Sequence, residues 1–275
     1  DGYFYCLDAD TGKIVWTYRD ESDPCGFYWN QGVVYGDAIW FMAEDGRLVS
    51  HSLKTDEVYE THYLDGSKTM VRAGLCLAIN TDEYTYTDEK TADACLYTVS
   101  KEGKVFKIDI DAHGAVKKIY GADLFEKTED EQNKITSCTC TPTVYKDRLY
   151  VGCYHDGYAY MCIRSADLLS AIDDVLGNKS SEIKSPPLVS TFEEENTNSI
   201  YLYFTSNDAD GALYMMKDIL ASDEGRKIVK LFSPSKDKQY CIGCVAAGDD
   251  GTLYYSNDSG TLFAISSAEV SADVT

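Results

Sequence analysis

Asp45-Gly46-Arg47-Leu48-Val49 recurs along the chain in altered form, and that recurrence decides the fold. The other copies are Asp1-Gly2-Tyr3-Phe4-Tyr5, Glu102-Gly103-Lys104-Val105-Phe106, Asp156-Gly157-Tyr158-Ala159-Tyr160, Asp210-Gly211-Ala212-Leu213-Tyr214 and Ser259-Gly260-Thr261-Leu262-Phe263. Successive glycines stand 44, 57, 54, 54 and 49 residues apart. Three residues after each Gly comes Tyr5, Val49, Phe106, Tyr160, Tyr214 or Phe263, an aromatic in five of six copies. An apolar run precedes the later glycines: Ile39–Met42, Leu96–Val99, Leu149–Val151, Leu202–Phe204 and Leu253–Tyr255. A run, a polar turn containing Gly and a second run make a β-hairpin, the Gly supplying the positive φ of the turn. One more short strand precedes most hairpins, as in Gly32–Tyr35 or Thr143–Tyr145, and a fourth follows, as in Ile14–Tyr18 or Ile228–Phe232. Four antiparallel strands every ~50 residues is the size of a β-propeller blade. Stacked blades bury both faces of their inner strands, which explains runs that are apolar throughout. A β-sandwich has no reason to repeat one Gly–aromatic register at this spacing.

The expected fold class is therefore all-β: a β-propeller of four-stranded antiparallel blades, with six repeats visible and six to eight blades when closed. The phase of the repeat places residue 1 before a third strand, and Thr261–Ile265 is a third strand too. Residues 1–275 thus read as a single propeller domain that begins mid-blade, a fragment of a longer chain. Residues 165–176 are expected to form a helical insertion, with Ser165 as cap, a stripe of Leu168, Ile172, Val175 and Leu176, and Gly177 as the stop. Asp123–Gln132 is expected to be a loose or briefly helical loop, Glu193–Asn198 a polar hairpin loop, and the tail after Ser266 frayed or a short helix.

Composition narrows the function classes. The 275 residues carry 46 Asp+Glu against 25 Lys+Arg, a formal net charge of −21. Phosphate binding needs clustered Lys and Arg, and the sequence has no such cluster, which argues against nucleic acid, so no nucleic-acid partner is expected. No apolar run approaches the ~20 residues of a membrane helix, so this segment does not insert into a membrane. No basic start followed by an apolar core marks a signal peptide. An acidic surface favours solubility, cation binding or basic partners. The 22 Tyr, with 9 Phe and 3 Trp, suit half-buried strands whose hydroxyls stay wet.

The first copy runs on as Tyr3-Phe4-Tyr5-Cys6-Leu7-Asp8-Ala9-Asp10-Thr11-Gly12-Lys13-Ile14-Val15-Trp16. It resembles the repeat of pyrroloquinoline-quinone-like (PQQ-like) β-propellers, in outline aromatic–x–Leu-Asp-Ala-x-Thr-Gly-Lys-x-x-Trp. Asp8 and Thr11 are expected to close a turn, Gly12 to take the positive φ, and Trp16 to dock between blades. The other copies are degenerate: Ile108-Asp109-Ile110-Asp111 has an extra residue before Gly114, and Leu53-Lys54-Thr55-Asp56 lacks the Gly. The resemblance implies one of two branches. Quinoprotein dehydrogenases hold the quinone and calcium at the axis, beside two adjacent cysteines and a set of carboxylates. This chain has no adjacent Cys pair; Cys138-Thr139-Cys140 and Cys241-Ile242-Gly243-Cys244 come nearest. The other branch is non-enzymatic, similar to the outer-membrane assembly lipoprotein and cell-surface repeat proteins, and implies an extracytoplasmic or cell-surface location.

The residues offer little competing chemistry. Ten cysteines admit disulfides in a secreted protein. Cys6, Cys95, Cys153 and Cys162 fall in strands, though, where Cys behaves as a small hydrophobe, so free buried thiols with one or two disulfides are expected. The turns Asp8-Ala9-Asp10-Thr11-Gly12 and Asn207-Asp208-Ala209-Asp210-Gly211 resemble the start of calcium loops but lack the closing Glu. Asp208 and Asp210 are a candidate metal pair, against the plainer reading of Asp-Gly turns; Cys138 and Cys140 with Cys241 and Cys244 could hold zinc, but zinc favours knuckles in loops and these read as inner strands. His51 sits in a core slot and reads as a satisfied core histidine. No catalytic and no cofactor-binding residue is assigned. The sequence supports a non-enzymatic binding or scaffold propeller presenting loops to a protein, peptide or glycan partner, a basic one included. No cofactor is expected beyond a calcium ion, and PQQ is not. The alternative is a quinone- and calcium-dependent oxidoreductase module.

Overall fold

The computed structural model describes residues 2–126, 134–167, 169–222 and 225–266. These form six antiparallel sheets in chain order. The first pairs β1 (Phe4–Leu7) with β2 (Ile14–Tyr18). The second is β3 (Val33–Tyr35), β4 (Ala38–Met42), β5 (Arg47–Ser52) and β6 (Val58–Tyr63). The third is β7 (Cys76–Ile79), β8 (Ala94–Val99), β9 (Lys104–Ile110) and β10 (Val116–Asp123). In the fourth, β11 (Thr136–Ser137) and β12 (Thr143–Tyr145) both pair β13 (Arg148–His155), followed by β14 (Tyr158–Ser165) and β15 (Ala171–Lys179). Pro142, which has no N–H to give, lies in the gap between β11 and β12. The fifth holds β16 (Leu188–Ser190), the short α1 (Glu194–Thr197), β17 (Ser199–Thr205), β18 (Leu213–Ile219) and β19 (Ile228–Phe232). The sixth is β20 (Ala246–Ala247), β21 (Leu253–Ser256) and β22 (Leu262–Ile265). Each sheet is a meander, and together they are the blades of a β-propeller.

The repeated glycines sit at equivalent places. Gly46, Gly103, Gly157, Gly211 and Gly260 each lie in the hairpin between a blade's second and third strands, and all have positive φ, between 58° and 92°. These hairpins bond to the segments that carry the chain from one blade's fourth strand to the next blade's first. Glu44 N–H donates to Gly26 O, and Val71 N–H to Glu44 O; Lys101 N–H donates to Met70 O, and Cys138 N–H to Lys101 O. Asn207 with Glu182 and Asp258 with Tyr240 continue the pattern in the fifth and sixth blades. One backbone motif thus recurs around the axis, always on the same face.

The core is a series of interfaces between successive blades. Trp40, Leu48, Leu96, Phe106 and Ile108 fill the boundary of the second and third. Tyr97, Val105, Cys138, Cys153 and Cys162 fill the next, Tyr150, Met161, Leu202, Phe204 and Tyr214 the one after, and Leu213, Cys241 and Tyr255 the last. Each fully buried apolar side chain contributes on the order of 1.5–3 kcal/mol. Between the first two blades the contact is aromatic. Phe4 stacks on Phe41 with centroids 3.9 Å apart, and Trp16 stacks on His51 at 4.0 Å.

Several expectations are corrected here. Residues 165–176 are not a helical insertion. Ser165 Oγ accepts the Ser170 N–H and closes a turn, and β15 then pairs along β14. The blade needs its fourth strand, and Val175 packs into the core shared with the fifth blade, so tertiary pairing overrides an apolar spacing that also fits a helix. Leu168 of that stripe is outside the described residues, as are 127–132 of the charged loop and the tail from 267 onward. The Glu193–Asn198 loop contains the single turn α1, ended by Asn198 at φ 50°. Tyr5 and Leu7 of the first blade are 42% and 55% exposed, whereas Phe106 and Tyr214, at places equivalent to Tyr5, are buried. All ten cysteines are free, with no disulfide among the described residues.

Candidate binding face at the propeller axis

The face that carries the blade-to-blade connections also carries a pair of aromatic residues that no core accounts for. The segment joining β2 to β3 is pinned twice. Gly26 O holds Glu44 N–H at 2.8 Å, and Asn30 Nδ2 donates to Met42 O at 2.7 Å. Between these anchors Tyr28 and Trp29 are pushed outward, 43% and 46% exposed, with ring centroids 4.6 Å apart. Trp29 has φ 58°, a left-handed conformation that is an outlier for a bulky side chain.

Two cations sit against these rings. Arg72 lies 4.6 Å over Tyr28 and is fixed by Glu44 through Nε at 2.7 Å. Lys184 Nζ is 5.7 Å from the Trp29 centroid and 3.7 Å from Glu182. Glu182 accepts from Thr139 Oγ1 at 2.9 Å and Ser137 Oγ at 3.3 Å, tying the fourth blade to the fifth. Gly74 N–H donates to Thr141 Oγ1 at 2.8 Å, and a Cβ on Gly74 would meet that oxygen at the same distance. The connection entering the third blade is therefore pressed against the fourth. Around these contacts lies a cavity of about 150 Å³, lined by Trp29, Gln31, Thr139, Lys184, Ile242 and Cys244 among others. Its walls come from the second, fourth, fifth and sixth blades, so it marks the propeller axis.

The axis offers thiols and hydroxyls rather than a catalytic set. Cys138, Cys140 and Cys241 are buried, and burial pushes the Cys140 thiol up to about 12. Cys244 is exposed in the mouth, yet partial burial raises its pKa too, so none of these is a primed nucleophile.

Asp208 and Asp210 lie on this face, in the hairpin of the fifth blade, with their oxygens already engaged. Asp208 accepts from Asn178 at 2.9 Å, Tyr214 OH at 3.0 Å and the Asp210 N–H at 2.9 Å. Asp210 is paired with Lys230 at 2.6 Å and Lys238 at 3.2 Å, which hold its carboxyl below the usual range. Among the described residues no group of three or more His, Cys, Asp or Glu could hold a metal ion. The geometry is that of a closed Asp-Gly turn. His51 is a core residue, 1% exposed, with Nδ1 at 2.9 Å from Ser52 O. Sequence reasoning did not single out Tyr28, Trp29 or Arg72. The available signal was an adjacent aromatic pair in a connecting segment, where no strand needs it.

Comparison with known proteins agrees with the fold. No family model matches the chain, and no curated protein matches it in sequence. Solved structures do match. A chain of the mitotic checkpoint complex superposes with TM-score 0.56 at 12% identity, covering 96% of this chain and 68% of that one. Quinohemoprotein alcohol dehydrogenase from Comamonas testosteroni gives 0.56 at 10% identity, covering 88% of this chain and 41% of the enzyme. BamB from Moraxella catarrhalis gives 0.48 at 11%, covering 96% and 76%. At such identities the likeness is one of fold, and the class it defines is the β-propeller. Among the described residues no helix is long and apolar enough to cross a membrane.

Proposed function

We propose that this chain is a non-enzymatic binding propeller that engages a protein or peptide segment at the axial mouth, with Trp29 as the anchor. The observation that carries the proposal is Trp29 itself: nearly half exposed, held at a positive φ, and flanked by Tyr28, Arg72 and Lys184. A folded chain does not maintain a strained, wet tryptophan for its own packing, and Trp, Tyr and Arg are the residues that dominate protein interfaces. A glycan stacking on Trp29 is the competing ligand class, and the aromatic pair would serve it as well.

We expect no quinone at this axis. The axial cavity is lined by the Cys244 thiol, Thr139, Thr141 and Lys184 among others, where a cation-bound quinone needs carboxylates. The location outside the cytoplasm rests on the family resemblance; six of the ten thiols are buried, which shields them from oxidants there. Calorimetric titration with PQQ in saturating calcium separates the readings. No heat of binding and no dye reduction with alcohols are expected, and a micromolar or tighter Kd would promote the oxidoreductase.

A further inference from the structure

We infer that the opposite face carries a second, independent docking groove, between the fifth and sixth blades, for a basic segment with one bulky apolar side chain. That face carries the turns between the first and second strands of the blades. At the boundary of the fourth and fifth blades the meeting is clamped: Tyr145 OH and Lys146 Nζ both donate to Glu194. At the next boundary no such clamp forms. The turn after β20 is tight, with Gly248 N–H on Thr252 O at 2.8 Å and Gly251 N–H on Gly248 O at 3.0 Å. It does not reach the longer loop of the fifth blade. The result is a cleft of about 610 Å³, with Leu188, Val189, Tyr203, Ala247 and Leu253 in its walls. Phe192 stands on its lip, 85% exposed.

Charge selects the occupant. Asp249 and Asp250 also line the cleft, and Glu193 and Glu195 follow Phe192 in the adjoining loop. Among the described residues no ion pair reaches any of these four carboxylates, unlike Asp210 and Glu194 of the fifth blade. An apolar floor with an unneutralised acidic rim repels acidic chains and anionic surfaces. A wholly apolar occupant would desolvate the rim carboxylates without compensation. An extended segment placing Leu or Phe in the cleft, with Lys or Arg on either side, satisfies both.

The test uses the whole chain and a fluorescent synthetic peptide with the core Lys-Arg-Leu-Lys-Arg. Saturable binding that weakens as salt rises is expected. The double variant Asp249→Asn/Asp250→Asn and, separately, Phe192→Ser should each weaken it at least about fivefold, with Tm unchanged because all three residues are exposed. Replacing the peptide's Leu by Ser should weaken it similarly, whereas Trp29→Ala should leave it unaltered, so this groove and the axial mouth fail or succeed separately. Absence of saturable binding, equal binding by the Ser peptide, or indifference to the cleft variants would each overturn the inference.

Discussion

Trp29 is the residue where this chain sets local stability against something else. A left-handed conformation costs a non-glycine residue about 1–2 kcal/mol, and nothing in the core requires the ring. Trp29→Gly should therefore leave Tm unchanged or raise it while removing partner binding, as a thermal melt and a binding assay on one sample would show. A fall of several degrees would mean that the indole is structural. Phe106 is the contrasting case, fully buried between the second and third blades. Phe106→Ala should cost ~3–5 kcal/mol, read by denaturant unfolding, and a near-neutral change would contradict its place in the core. Much at this scale was legible in the sequence. Thr11 N–H donates to Asp8 Oδ1 at 2.8 Å, Gly12 has φ 68°, and Trp16 docks on the neighbouring blade, as the motif implied. Trp29 was not legible, because its exposure follows from two anchors, Gly26 and Asn30, whose partners lie in another strand.

Blades are joined by buried charge as well as by apolar surface. Asp218 of β18 is fully buried and accepts from Arg148 Nη1, Arg226 Nε and Tyr150 OH, each at 2.6 Å. Arg148 and Tyr150 belong to β13, so this cluster locks the fourth blade to the fifth. Removing the carboxylate would take the buried anion from Arg148 and one of the two carboxylates at Arg226, which keeps Asp173 at 3.2 Å, and Asp218→Ala should cost about 3–5 kcal/mol. Chemical denaturation of that variant checks the figure; a loss below about 1 kcal/mol would show that water enters the site. The hairpins, the positive-φ glycines and the four-strand period were legible because each is dictated locally, by a turn that only Gly closes easily. Polar residues inside strands were not. Asp218, Lys107 and Arg164 alternate with apolar neighbours as exposed residues do, and their burial follows from partners about 40 to 70 residues away. The helix expected over 165–176 failed for a related reason: the apolar spacing of the fourth strand fits either period, and only its pairing with β14 decides.

The whole molecule should respond to alkali through its thiols. Burial pushes Cys76 up to about 11 and Cys140 to about 12, from an ordinary 9.0. A folded pKa raised above the unfolded one stabilises fully below the unfolded value, and that contribution is lost as pH rises through the folded value. Tm should decline steadily from about pH 9 to about pH 12, and a flat profile across that window would mean the thiols are already solvated. Calcium, by contrast, should leave Tm unchanged, because Lys230 and Lys238 already neutralise Asp210; a rise on adding calcium, abolished by Asp208→Asn, would contradict this.

The central claim is that the axial mouth recognises a partner through Trp29. The most direct test is selection of a random displayed-peptide library on the intact protein, followed by affinity measurement on wild type and Trp29→Ala. Peptides enriched in the selection should bind wild type and lose at least about tenfold in affinity for Trp29→Ala, the loss expected for an interface anchor. Equal affinity for both proteins, across all the enriched peptides, would contradict the claim.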